Sequence, residues 1–143
     1  MKNQNQSASI IDQALIKAYS ETVFHVFNPK IDIRINQRNP RLDRLLKKYG
    51  KTFWAFITPC NPHSIVLSKQ ENMERMLHML MELKGYVVFH GEGRGKDPQW
   101  KPELSVLVLG VSRAKAKRIG AKYGQNAIVA GRKSTEAQLL MLQ

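Results

Sequence analysis

The segment Phe53–Ile57 reads Phe-Trp-Ala-Phe-Ile, and this uninterrupted apolar and aromatic run decides how the rest of the chain is interpreted. A strand without polar alternation is typical of the centre of a sheet that is covered on both faces. The sequence therefore predicts a sheet with other elements packed on it.

Helix signals lie on both sides of this strand. Before it, Asn39 can cap a helix, Pro40 suits the first turn and Gly50 can end it. After it, Ser68 and Glu71 have the spacing of a capping box, in which each satisfies a free backbone donor of the other. The chain therefore runs helix, strand, helix through this region.

The same reasoning extends to both ends. The further predicted elements are a helix over residues 10–19, strands over 22–27, 31–35, 86–89, 104–109 and 127–129, and a helix between 112 and 124. The tail, 135–142, is compatible with a helix or an edge strand. We predict one α/β (α+β) domain over 9–143, with a mixed sheet of about five or six strands, hairpins and crossovers. Residues 1–8 are polar and predicted to be disordered.

Composition narrows the class of protein. The chain has 143 residues, 43% of them hydrophobic and 24% charged, as in one ordinary globular domain. Neither a membrane span nor an apolar signal segment is present, so a cytoplasmic protein is expected. Cys60 is the single cysteine, which excludes a disulfide framework and a cysteine-rich zinc site. No metal and no cofactor are predicted.

Charge indicates the partner. Lys and Arg total 23 against 11 Asp and Glu, a net charge of +12, and the excess lies mainly in two blocks, over 30–51 and 113–133. Such blocks favour polyanions, although solvated basic faces that bind nothing specific are an alternative. The candidate nucleic-acid-binding residues are Arg41, Arg44, Lys48, Lys51, Arg113 and Lys117.

Residues 91–95 read Gly-Glu-Gly-Arg-Gly, a pattern typical of a loop whose backbone approaches a ligand closely. Arg94 could hold a phosphate or carboxylate, and Glu92 could act as an acid/base catalyst or pair with Arg94. The motif matches neither a Walker loop nor a dinucleotide fingerprint. The alternative is a glycine-rich turn with solvated side chains.

Two further polar groups are candidate ligand-binding residues. Asn61 and Ser64 follow the central strand, where ligands of α/β sheets usually bind, although Asn61 could simply make a turn. Gln125 and Asn126 precede the last predicted strand. A right-handed crossover would make the strands ending at 57 and 89 parallel, so their loops would open at one edge. We therefore predict one concave site formed by Asn61, Glu92, Arg94 and Gln125 or Asn126. Gln125 could instead open on the opposite edge.

Cys60 would be a nucleophile only with a base beside it, and His63 and His90 are the nearest candidates in sequence. No orienting acid accompanies them, so we predict that Cys60 is not catalytic.

The chain resembles a small bacterial family catalogued as domain of unknown function 3293. The resemblance covers about residues 19–131. The matching stretches are Phe56-Ile57-Thr58, Asn61-Pro62, Ser64, Leu67-Ser68, Glu71-Asn72, Gly85-Tyr86, 91–95, Trp100, 106–110 and 123–129. It implies a stand-alone cytoplasmic domain with polar signature residues in loops, and it indicates no particular activity. Cys60, His90 and Ala130 depart from the family pattern, which weakens any stacking role at the first and third.

Three functions fit these observations. The first is binding of a phosphate-bearing ligand, either a nucleotide or nucleic acid. The second is a small enzyme acting on a nucleotide-like anion with Glu92 as acid/base. The third is a regulatory protein that docks an acidic protein partner.

Overall fold

A computed structural model describes residues 13–142 and contains a sheet of seven strands with four helices. The strands are β1 Val23–Val26, β2 Ile31–Ile33, β3 Phe53–Ile57, β4 Val87–Arg94, β5 Glu103–Leu109, β6 Ala127–Arg132 and β7 Gln138–Met141. The helices are α1 over residues 13–20, α2 Pro40–Lys48, α3 Lys69–Glu82 and α4 Arg113–Lys122. The segment 1–8, predicted to be disordered, lies outside the described residues.

The strand order is β2-β1-β4-β5-β3-β6-β7, and every neighbouring pair is antiparallel. The α+β class is confirmed, but the sheet has seven strands rather than about five or six and is not mixed. The reason is that the crossovers through α3 and α4 each skip one strand. β3 and β4 run in the same direction, as the crossover predicts, but β5 lies between them, and β3 likewise separates β5 from β6. This arrangement is the split βαβ order of ferredoxin-like folds.

Both faces of the sheet are covered, as the apolar sequence of β3 predicts. Helices α3 and α4 pack on one face, where Met79 and Ile119 join Ala55 in one buried cluster. Helix α2 packs on the other face, where Leu46 joins Trp54 in a second cluster. The two clusters lie on either side of one sheet, so the chain forms a single domain.

The sheet curls until its two edges approach each other. Ile35, just after β2, and Ala137, just before β7, form a parallel bridge. The Asn36 N–H donates to the Ala137 carbonyl at 2.8 Å. The concave side of the sheet therefore encloses the cluster that α2 covers.

The predicted helix caps are confirmed. Asn39 accepts a hydrogen bond from the Leu42 N–H at 3.1 Å, and Pro40 occupies the first turn of α2. Ser68 and Glu71 make both bonds of the capping box at 3.1 and 3.3 Å. The tail forms an edge strand, β7. Within residues 13–142, no helix combines the length and apolarity needed to cross a membrane.

Strand directions define one edge at which polar segments gather. β3 and β4 end there, and β1, β5 and β6 begin there, because each of these three is antiparallel to β3 or β4. Segments that follow β3 and β4 and segments that precede β1, β5 and β6 therefore meet at the same end of the sheet.

Candidate functional site

A cavity of about 300 Å³ opens at this edge of the sheet. All the polar segments just described contribute to its lining, and α1 contributes Tyr19 from the side. Four of the predicted ligand-binding residues line it, namely Asn61, Ser64, Gln125 and Asn126. These four side chains lie at one concave site, and their role in ligand binding stays a prediction. Gln125 opens on the same edge as Asn61, because β6 begins where β3 ends.

Asn61 organises the loop after β3. Its backbone is left-handed, with φ 50° and ψ 62°, which asparagine tolerates better than most residues. Its Oδ1 accepts from the Leu67 N–H and from Asn72 Nδ2, both at 2.9 Å. Because a backbone N–H can only donate, these contacts fix the orientation of the amide and leave Nδ2 as a donor. Nδ2 donates to Glu103 Oε2 at 2.7 Å.

Glu103 is the carboxylate of the cavity. It begins β5 on the concave side, opposite Gly93 of β4, and is partly buried. Burial raises the pKa of Glu103 above its ordinary value, and the hydrogen bond from Asn61 acts in the opposite direction. A partly desolvated carboxylate of this kind can accept hydrogen bonds from a ligand, and it can also transfer a proton.

Gln125 and Asn126 line the cavity from the start of β6. Gln125 is 8% exposed, and its Nε2 donates to the carbonyls of Cys60 at 2.9 Å and Tyr123 at 3.3 Å. Asn126 donates from Nδ2 to Ser64 Oγ at 3.0 Å. Both amides therefore connect the start of β6 to the loop after β3, so they stabilise the fold as well as line the cavity.

Aromatic rings supply the apolar part of the lining. Tyr19 lies on α1, and burial raises the pKa of its hydroxyl, with Glu103 adding to the effect and a hydrogen bond to Asn126 opposing it. Trp100 is 57% exposed at the mouth of the cavity, where a flat ligand could stack on its indole. Lys96 and Lys101 are exposed lining residues on the same β4–β5 connection.

An arginine braces the two loops that carry the amides. Arg75 of α3 donates from Nε to the Pro59 carbonyl at 2.7 Å and from Nη2 to the Tyr123 carbonyl. Thr58 adds a bond from Oγ1 to the Leu104 carbonyl at 2.7 Å. The loops are therefore held from outside the cavity, which makes the site largely pre-formed.

The glycine motif lies in a strand up to Arg94, so the prediction of a loop is wrong there, although Gly93 and Gly95 line the cavity. Residues 91–94 belong to β4 and pair with β1, and residues 91–93 also pair with β5. A Cβ on Gly91 would overlap the carbonyl oxygen of His25, so this glycine permits close pairing with β1 instead of ligand approach.

Glu92 and Arg94 do not line the cavity. They alternate with Gly91 and Gly93 along β4 and therefore face the other side of the sheet. They pair as predicted, with Arg94 Nε donating to Glu92 Oε1 at 3.0 Å. The prediction that these two side chains share one site with Asn61 is wrong, because it assumed an irregular loop where the chain continues as a strand.

The basic candidates divide between two places. Arg41 and Arg44 line an open groove of about 650 Å³ at the start of α2, together with Lys30 and Arg38. Within residues 13–142, none of these four side chains forms an ion pair. The other candidates lie elsewhere: Lys48 and Lys51 are exposed beyond the groove, and Arg113 and Lys117 belong to α4 on the opposite face of the sheet.

Cys60 is buried beneath the loop after β3. Burial raises the pKa of its thiol, and the Sγ contacts the Leu104 carbonyl at 3.4 Å. Burial, the largest cause of the shift, favours the protonated, unreactive form. Among the described residues, no cluster of His, Cys, Asp and Glu side chains is arranged to hold a metal ion.

Sequence reasoning missed five of the cavity residues described above: Glu103, Tyr19, Trp100, Lys96 and Lys101. The sequence did contain a signal for Glu103. Extending the predicted strand 104–109 by one residue includes Glu103, and the alternation of a strand then places it on the same face as Leu107 and Leu109. Tyr19 is the last residue of the helix predicted over residues 10–19, and no local pattern distinguishes a core position there from a cavity wall.

The fold and cavity define a small α+β domain with a partly buried carboxylate among amides at one edge of its sheet. The family model described as "Protein of unknown function (DUF3293)" matches residues 57–128, just over half of the chain, and the chain belongs to this family. Searches among curated proteins and among solved structures gave no match. The family resemblance is confirmed, and the bacterial origin and cytoplasmic location stay predictions.

Proposed function

We propose that this protein binds a small phosphate-bearing ligand of the nucleotide type in the cavity at the edge of its sheet. The observation that carries the proposal is Glu103, a partly buried carboxylate that faces the cavity and is oriented by Asn61. Desolvating a carboxylate costs free energy that the fold does not require, and such costs are typical of binding sites.

The remaining lining offers a flat ring and two lysines, beside the carboxylates of Glu21 and Asp97. Trp100 offers a stacking surface, and Lys96 and Lys101 place two positive charges on the same connection. About 300 Å³ lies at the lower limit of cavities that hold small ligands, so the cavity suits one ring system with the phosphate at the mouth. This arrangement moves the phosphate contact from Arg94, the sequence candidate, to the two lysines.

The test is a binding screen of nucleosides, nucleotides and sugar phosphates by thermal shift, followed by calorimetry. Lys96→Ala combined with Lys101→Ala should weaken phosphorylated ligands by about 3- to 30-fold and leave the parent nucleoside unchanged. The matched control is Lys117→Ala with Lys133→Ala, two exposed lysines outside the cavity. Absence of binding across the screen at millimolar ligand would refute the proposal.

Catalysis in the same cavity would use Glu103 as the acid/base in place of Glu92, which is paired with Arg94 on the other side of the sheet. Mass spectrometry of each bound ligand after incubation separates the two cases. Turnover that Glu103→Gln abolishes while binding persists would make the protein an enzyme.

Nucleic acid is a second candidate ligand, and the groove at the start of α2 favours it. Four basic side chains without ion pairs in residues 13–142 line this groove, and Lys48 continues the charge along the helix. A phosphate backbone would neutralise this charge, whereas an acidic protein partner is the competing occupant.

Fluorescence anisotropy with labelled oligonucleotides at low and moderate salt tests this candidate. Arg44→Ala combined with Lys48→Ala should weaken binding and reduce the salt slope by about 2. Lys117→Ala with Arg118→Ala on α4 removes the same charge from the opposite face. Equal losses in both variants would assign binding to net charge alone, and no binding at low salt would exclude nucleic acid.

A further inference from the structure

We infer that the cavity selects a planar ligand with adjacent N–H donors, the pattern of a guanine base, because two hydrogen-bond acceptors, Gln125 and Glu103, line its wall. The inference rests on the proposed function of the cavity and specifies the part of the ligand that enters it.

Gln125 is the first acceptor. The side chain is more than nine-tenths buried, and both amide hydrogens donate to backbone carbonyls, those of Cys60 and Tyr123. Carbonyls can only accept, so the orientation of the amide is fixed and Oε1 is left as an acceptor. No donor among residues 13–142 reaches Oε1. Every fully enclosed side-chain oxygen or nitrogen of the described residues has a partner, so Oε1 is not fully enclosed and opens to the cavity.

Glu103 is the second acceptor. Its Oε2 accepts from Asn61, and within residues 13–142 its Oε1 accepts no hydrogen bond. The two acceptors are held by consecutive residues of one loop, because Gln125 bonds to Cys60 and Glu103 bonds to Asn61. The carboxylate of Glu103 and the amide of Gln125 are therefore both anchored to the loop after β3, and both residues line the cavity.

Two acceptors anchored to one loop are best matched by a ligand that carries two N–H donors side by side. Guanine carries a ring N–H beside an exocyclic amine, whereas the corresponding edge of adenine presents an amine beside a ring acceptor. A guanidinium group has the same donor pattern as guanine. Trp100 at the mouth provides a stacking surface for the flat ring, and the lysines on the same connection favour a ligand with a phosphate.

Calorimetry with four ligands tests the inference without depending on any variant. The ligands are guanosine 5′-monophosphate, inosine 5′-monophosphate, adenosine 5′-monophosphate and agmatine. The inosine compound keeps the ring N–H but lacks the exocyclic amine, so it should bind about tenfold more weakly than the guanosine compound. The adenosine compound should bind more weakly still.

Glu103→Gln provides the matching change on the protein. It should weaken the guanosine ligand roughly 10- to 100-fold, since one partner of a charge-assisted hydrogen bond is lost, and should change adenosine binding little. Glu92→Gln removes a carboxylate from the other side of the sheet and should change neither. Thermal unfolding of each variant confirms that the fold is intact.

The outcomes separate the inference from the proposed function. Adenosine 5′-monophosphate binding as tightly as the guanosine ligand, or a guanosine affinity unaffected by Glu103→Gln, would overturn the inference while the cavity remains a binding site. Agmatine binding more tightly than the guanosine ligand would support the donor pattern and assign it to a guanidinium. No binding of any of the four ligands at millimolar concentration would overturn the inference, and the wider screen then decides the proposed function.

Discussion

Asn61 is the residue whose replacement most directly tests the geometry of the cavity. Asn61→Ala removes two hydrogen bonds accepted by Oδ1 and one donated to Glu103. The neutral bonds contribute about 1 kcal/mol each and the bond to a carboxylate about 1.5–3 kcal/mol. Alanine also tolerates the left-handed backbone less well, at about 1 kcal/mol. The free energy of unfolding should therefore fall by about 4–6 kcal/mol.

Asn61→Asp is the matched variant, because it keeps the shape, the backbone preference and the two accepted bonds. The substitution replaces the Nδ2 donor of Asn61 by a carboxylate oxygen. This oxygen faces Glu103 Oε2 at the position of Nδ2, which lies 2.7 Å from Oε2 in the parent protein. Like charges at this distance raise the pKa of the pair, so one proton is shared as the pH falls. The variant should be destabilised near neutral pH and should recover stability toward acid pH.

Urea unfolding followed by tryptophan fluorescence measures both variants, since Trp54 is 2% exposed and lies in the core. A loss below about 1 kcal/mol for Asn61→Ala would show that these hydrogen bonds contribute little beyond their replacement by water. An Asn61→Asp variant with the same pH profile as the parent protein would show that Asn61 does not donate to Glu103.

Three further predictions concern Glu103, the glycines of β4 and Cys60. Burial raises the pKa of Glu103, so the folded state binds its proton more tightly than the unfolded state, and stability falls as the pH rises from the ordinary pKa of Glu to the raised value. The Glu103→Gln variant should therefore become more stable relative to the parent protein as the pH rises through this window, as measured by urea unfolding. A difference in unfolding free energy that does not change with pH would contradict the raised pKa. Gly91→Ala should cost more than about 2 kcal/mol because its Cβ overlaps the His25 carbonyl, whereas Gly93→Ala, whose Cβ meets no atom closer than 3.9 Å, should be tolerated in the same assay. Alkylation of Cys60 should be slow in the folded protein and should require a higher pH than a free thiol, and rapid alkylation near neutral pH would refute this.

The elements that local chemistry specifies were predictable from the sequence. Asn39, Ser68 and Ser112 each cap the helix predicted to follow them, because a cap depends on residues within one turn. The apolar run Phe53–Ile57 lies inside the sheet as expected. These features need no information about distant parts of the chain.

Pairing between distant segments was not predictable in the same way. The insertion of β5 between β3 and β4 depends on long-range pairing, for which the crossover rule gives direction but not adjacency. Gly91 illustrates the same limit. Glycine is typical of loops, and only the approach of His25 from β1 explains it within a strand.

The parts of the candidate site whose position depends only on strand direction were predictable from the sequence. Asn61 follows β3 and Gln125 precedes β6, and antiparallel pairing of these strands brings both to one edge. Glu103 completes the site because β5 is antiparallel to β3 and also begins at that edge. Each of these side chains is bonded to a partner from another strand end, so folding of the sheet and assembly of the cavity are one event. A ligand that binds there should therefore stabilise the whole domain and not one loop, by an amount set by its concentration relative to its dissociation constant.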